Sequence, residues 1–245
     1  MMETKKIIFT LLGVFLLITA SKSQETVTFN AADGLKITAN LYEIDSTLPY
    51  LVLFHQAGYS KGEYRETAIK MIKLGYNILA VDLRSGDEVN FVTNETAALA
   101  KKTGKNNSML DAKQDIIAAI DWAYYKSNKE VVILGSSYSA SLCLLVGKIN
   151  PKVKAIVAFS PGEYFKPQID MKKSLKDLKK PTFITCSQRE ISYVMEMTAF
   201  VDSKYKTIFS PKTGVGEHGS KSLWKSCKTN KEYWLALMMF FNNIK

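Results

Sequence analysis

Histidine, cysteine and proline are scarce in this chain of 245 residues, which holds two, three and six of them. Each scarcity excludes something. Cys143, Cys186 and Cys227 are too few and too scattered for a disulfide framework, and neither a C-x-x-C nor a His-rich spacing points to a metal, so no cofactor is expected. No tract rich in Pro, Gly or Ser divides the chain, and no internal repeat or low-complexity segment interrupts it. The apolar run Ile7 to Ala20 falls short of the roughly twenty residues that a membrane span needs. No cysteine follows that run, so a lipid anchor is not indicated. Two classes of partner, nucleic acid and the bilayer interior, thus lack their usual signatures.

What is present begins with a leader. Lys5-Lys6, the apolar run and Ser21-Lys22-Ser23-Gln24 have the order of a secretory signal: basic, apolar, then small residues. Residues 1–23 are therefore expected to be a signal peptide, residues 24–245 one folded domain, and the protein exported to a periplasm or beyond. The leader takes +2 of the formal +10 with it. The remaining lysines are spread along the chain and read as solvated faces. A hydrophobic content of 47% and a mean hydropathy of −0.06 describe a globular protein.

From Gln24 onward, an alternating stretch from Glu25 to Asn30 turns at Ala32-Asp33-Gly34 into Leu35 to Tyr42, a hairpin signal. Short apolar runs then alternate with helical patterns. Leu51 to Phe54, Asn77 to Val81, Val131 to Leu134, Val153 to Phe159, Thr182 to Cys186 and Tyr205 to Phe209 read as strands. Ser60 and Glu63 spell a capping box for a helix reaching Leu74, with Gly75 as terminator. Residues 87 to about 107 read as irregular. Met109 to Lys126 is expected to be a helix with Leu110, Ile116, Ile117 and Ile120 on its apolar face, Ile191 to Val201 another, and Ser220 to Phe241 a closing one. Such alternation implies a mainly parallel sheet covered on both faces.

The chemistry centres on Gly135-Ser136-Ser137-Tyr138-Ser139, where an apolar strand runs into a helix through a tight turn of small residues. This is the setting of a G-x-S-x-G nucleophile, here with Ser139 in the second glycine position. Ser137 is the candidate nucleophile. A serine needs a base, and the two histidines are His55, at the end of an early strand, and His218, in the glycine-rich loop Gly214 to Gly219. His218 has the better setting, since loops at strand ends carry catalytic groups. An acid must then hold the imidazole, and Glu190, Glu163 and Asp82 stand at strand ends. Glu190 lies between Ser137 and His218, which gives the chain order Ser, acid, His.

In His55-Gln56-Ala57-Gly58, Asp82-Leu83-Arg84-Ser85-Gly86, the Ser137 turn, Ser187-Gln188-Arg189-Glu190 and His218-Gly219, the sequence resembles the alpha/beta-hydrolase superfamily, in its lidless, dienelactone-hydrolase-like branch. The resemblance runs over essentially all of residues 24–245. It implies the alpha/beta-hydrolase fold: a mainly parallel sheet of about eight strands, an N-terminal antiparallel hairpin, helices on both faces and no large lid. It also implies a triad of Ser137, His218 and Glu190, and an oxyanion hole from the amides of Tyr138 and Gln56. Dienelactone hydrolases proper use cysteine, so the scaffold is implied and not that one activity. The expected function is cleavage of a small ester or related acyl bond through an acyl-enzyme. Acyl transfer or peptide cleavage would use the same residues, and a non-catalytic binding protein on the same fold is the rival class.

The remaining features read as structural. Asp82 and Arg84 are expected to pair and hold strand-end loops, and His55 to shape the oxyanion loop. Asn94-Glu95-Thr96 is a glycosylation triplet by spelling only, of a kind that arises often by chance. Gly214, Gly216 and Gly219 spell G-x-G-x-x-G, but no later strand and acidic residue follow to make a dinucleotide site.

Overall fold

The computed structural model describes residues 24–244; the expected leader lies outside the described residues. Strands β1 (Glu25–Asn30) and β2 (Lys36–Tyr42) form the hairpin, with Thr28 opposite Thr38. Beyond it come β3 (Tyr50–Phe54) and β4 (Asn77–Val81). A small separate hairpin, β5 (Glu88–Val89) with β6 (Val92–Thr93), follows. The last four are β7 (Val131–Ser136), β8 (Val153–Phe159), β9 (Thr182–Thr185) and β10 (Lys206–Phe209). The eight-stranded sheet has the order β1-β2-β4-β3-β7-β8-β9-β10, antiparallel as far as β2–β4 and parallel from β4 onward.

The buried strands are apolar on both faces because each face has its own helical cover. Side chains alternate across the sheet. Val52, Phe54, Leu79, Val81, Val131 and Ile133 enter one core, and Leu51, Leu53, Ile78, Ala80, Val132 and Leu134 the other. The first core is closed by α2 (Glu95–Lys102), α3 (Lys113–Ser127), α4 (Tyr138–Ile149), α5 (Met171–Ser174) and α6 (Ile191–Met197). The second is closed by α1 (Ala68–Met71) and α7 (Asn230–Asn243), whose Tyr233, Leu237 and Phe241 are fully buried.

Several expectations need correction. The helix after Ser60 is broken into a 3-10 turn Lys61–Tyr64, α1 and a second 3-10 turn Ile72–Leu74, which Gly75 ends at φ 92°. Ser60 does accept from the Gly62 amide, but Glu63 points away into the protein, so the capping box is absent. Residues 87–107 are not irregular: they hold the small hairpin and α2, capped by the Asn94 side chain accepting from Ala97. Asn94 is buried, and its amide group donates to Tyr59 and Leu83 carbonyls, which leaves nothing for a glycan. Helix α3 starts at Lys113, and Ile117 is exposed; its buried face is Ile116, Ala119, Ile120 and Ala123. The closing helix is a 3-10 turn, Gly219–Leu223, and then α7.

Asp82 and Arg84 do not pair with each other. Asp82 binds Lys61 at 2.7 Å, whereas Arg84 binds Asp115 at 2.7 Å and Asp33 at 2.8 Å. Arg84 and Asp115 are fully buried, and the guanidinium fork meets both carboxylates, which compensates its burial. The clamp fastens the β1–β2 turn and α3 to the segment after β4.

Candidate active site

Five strand ends converge at the carboxyl edge of the parallel strands. At the centre, β7 passes through Ser137 into α4. Ser137 sits at φ 60°, ψ −123°, a conformation that favours glycine and persists only where the surroundings enforce it. Its amide donates to Phe159 O at 2.8 Å, and the amides of Ala140 and Ser141 donate back to its carbonyl. A Cβ at Gly135 would lie 2.5 Å from the backbone of Ser139 and Ala140, so only glycine fits there. Ser139 accepts from the Ser136 amide at 2.9 Å and donates to Phe54 O at 2.9 Å. A serine hydroxyl therefore bonds the turn to β3 from the position where the usual motif has glycine.

The structure brings Ser137, His218 and Glu190 together. His218 Nε2 is 2.8 Å from Ser137 Oγ, and its Nδ1 is 2.6 Å from Glu190 Oε1. An ionised carboxylate only accepts, so Nδ1–H donates to Glu190 and Nε2 is left to accept from the serine hydroxyl. The other Glu190 oxygen accepts from the Ser187 hydroxyl (2.7 Å), the Ser187 amide (2.9 Å) and Ser160 Oγ (3.0 Å). Burial pushes Glu190 upward, but the donors His218 and Ser187 outweigh it and hold the carboxyl at about 2. Ser160 in turn accepts from the Gly219 amide at 2.9 Å and so ties the histidine loop to the acid. Gly219, at φ 69°, has no room for a Cβ beside Ser136 Oγ, which would lie 2.5 Å away.

The alternative acids are engaged elsewhere. Glu163 accepts from the Met171 amide at the start of α5, and Asp82 accepts from the Lys61 and Glu95 amides. His55 is fully buried; its Nε2 accepts from the Leu83 amide at 2.9 Å, and its Nδ1 donates to Gln56 O at 2.8 Å. It pins the β3 end to the β4 end.

Of the two amides expected to form an oxyanion hole, one is engaged elsewhere. The Gln56 amide donates to Glu63 Oε2 at 2.7 Å and is not available. The next amide, that of Ala57, has no acceptor among the described residues, and neither has that of Tyr138. The pair of open N–H groups is thus Ala57 and Tyr138. Sequence reading also passed over Tyr164, whose hydroxyl is 3.1 Å from Ser137 Oγ and 3.3 Å from Ser160 O. Its position just past the end of β8 was the available signal. Glu63 was missed because S-x-x-E names a helix cap.

Residues 37–207 match the model of the dienelactone hydrolase family. Among solved structures, an esterase of Pyrococcus furiosus superimposes with a TM-score of 0.67 at 16% identity, over 91% of this chain and 91% of that one. A dienelactone hydrolase of Anabaena variabilis gives 0.65 at 16% identity, over 90% and 97%. An esterase of Rhizomucor miehei gives 0.62 at 13%, over 91% and 83%. At such identities these likenesses carry the fold. No curated protein matches.

Proposed function

The chain belongs to the dienelactone hydrolase family, a family of hydrolases, and from that premise we propose that it is an exported serine hydrolase cleaving an ester or related acyl bond. The observation that carries this reading is one imidazole bonded to Ser137 through Nε2 and to Glu190 through Nδ1. As Ser137 Oγ attacks the acyl carbonyl, its proton passes to His218 Nε2, and Glu190 stabilises the imidazolium that forms. The carbonyl oxygen becomes an oxyanion facing the Ala57 and Tyr138 amides, each worth roughly 3 kcal/mol in the transition state. The bond to the leaving oxygen breaks as that oxygen takes the proton from Nε2. Water then enters and gives a proton to the same nitrogen as its oxygen bonds to the acyl carbon. The bond from that carbon to Ser137 Oγ breaks as Oγ takes the proton back, which releases the acid and restores the serine hydroxyl. Export rests on the basic, apolar and small-residue pattern of residues 1–23.

The test is a fluorophosphonate probe applied to the chain from Gln24, beside Ser137→Ala, with the labelled peptide mapped. Labelling at Ser137 alone, lost in the variant, is the expected result. Well-folded protein that stays unlabelled would make the chain a binding protein on this fold. Labelling of Ser136 or Ser139 would move the nucleophile. Product analysis with an added alcohol separates hydrolysis from acyl transfer.

A further inference from the structure

Glu63 is fully buried, and its carboxylate hydrogen-bonds to the neighbours of Ser137 and His218 in the chain and to neither of those two residues. Its Oε1 accepts from the hydroxyls of Ser136 (2.7 Å) and Ser220 (2.6 Å), and its Oε2 from the Gln56 amide (2.7 Å). Ser136 immediately precedes the nucleophile, Ser220 follows His218 by two residues, and Gln56 immediately precedes Ala57. The network is closed by the Ser220 amide, which donates to Ser136 Oγ at 2.9 Å, and by the Trp224 indole, which donates to the Glu63 carbonyl at 2.9 Å. Three loops that meet at the reacting atoms are therefore fastened to one carboxylate.

We propose that Glu63 is a positioning residue whose carboxylate sets the nucleophile turn, the histidine loop and the open Ala57 amide relative to one another. The proposal rests on the serine-hydrolase reading of the site. An ionised carboxylate is an acceptor at both oxygens, which is what three converging donors require. An amide of the same size has one accepting oxygen and an NH2 that only donates. It must turn that NH2 either on the Gln56 N–H or toward the two serine hydroxyls. Burial pushes the Glu63 carboxyl upward, against the hydrogen bonds from Ser220, Ser136 and Gln56. Such a group is retained in a protein interior only with its partners in place.

The experiment compares wild type, Glu63→Gln, Ser220→Ala and the double variant. It measures kcat and KM on a soluble ester, the rate of fluorophosphonate labelling, and stability in urea. Glu63→Gln is expected to lower kcat and the labelling rate by roughly tenfold or more, the scale of a sub-ångström to ångström misplacement, with KM within about threefold. The double variant is expected to be no slower than Glu63→Gln, because Ser220 acts through the same carboxylate. A Glu63→Gln protein as fast as wild type, or slow only in proportion to its unfolded fraction, overturns the proposal, as do effects that multiply in the double variant. Should Glu63→Gln fail to fold, Ser220→Ala decides alone: a severalfold slower labelling at unchanged KM supports the proposal and no change overturns it. Wild type that does not label removes the serine-hydrolase reading and this inference with it.

Discussion

Glu190 takes the imidazole N–H, a hydroxyl and an amide of Ser187, and the Ser160 hydroxyl; burial pushes its carboxyl up, but His218 and Ser187 outweigh that and hold it at about 2 against its usual 4.5. A carboxyl depressed by folding stabilises the native state at pH above its unfolded value, and that contribution is lost as pH falls through the folded value. Glu190 should therefore contribute about 2 kcal/mol near neutrality, fading as pH drops below about 4.5 toward 2. Urea unfolding of wild type and Glu190→Gln from neutral to acid pH checks this. The stability gap between them narrows as pH falls; a constant gap would mean that ionisation is not the source. A second prediction concerns Tyr164. Tyr164 donates its proton to Ser160 O at 3.3 Å and presents its hydroxyl oxygen 3.1 Å from Ser137 Oγ, where it offers the serine proton an acceptor that competes with His218 Nε2. Tyr164→Phe removes a hydroxyl that ties the Ser160 carbonyl to Ser137, and kcat/KM on a soluble ester should change by no more than roughly tenfold with labelling of Ser137 retained.

At the scale of the element, the turn from β7 into α4 shows how a motif can keep its geometry while changing a letter. Ser139 stands where glycine is usual, and the pocket around it is lined by backbone groups that its hydroxyl serves. In Ser139→Gly the Ser136 amide loses its acceptor, whereas Phe54 O keeps the Tyr64 hydroxyl at 2.8 Å. One buried N–H left unpaired costs about 1 to 2 kcal/mol, to be read as a lowered urea midpoint at unchanged slope. The strands were legible because each is a short apolar run between breakers, and a parallel sheet makes both faces of such a run apolar. Helix α2 was not, since Glu95 to Lys102 carries a weak apolar pattern and its cap, Asn94, spells a different signal. Glu63 was misread for a related reason. A local hydrogen-bond pattern names the nearest partner, but this carboxylate bonds Ser136 and Ser220, residues brought to it only by the sheet.

On the scale of the whole molecule, the sheet gathers residues that are distant in sequence: Ala57 after β3, Ser137 after β7, Tyr164 after β8, Glu190 after β9 and His218 after β10. That three side chains at these strand ends come within hydrogen-bond distance of one another was readable from the chain order Ser, acid, His. The choice between the Gln56 and Ala57 amides was not, since it depends on where Glu63 points. The same topology bears on substrate. The connection between β8 and β9 carries only the four-residue α5, and the His218 side chain stays 40% exposed. A long acyl chain reaching this site would leave much of its apolar surface in water and gain little transfer free energy, which is about 0.8 kcal/mol per CH2 only when burial is complete. Across acetate, butyrate, octanoate and palmitate esters of one chromogenic alcohol, kcat/KM should peak at the short acids and decline with length. A steady rise with length would mean that an apolar wall covers the chain, and the site would then have to close around its substrate.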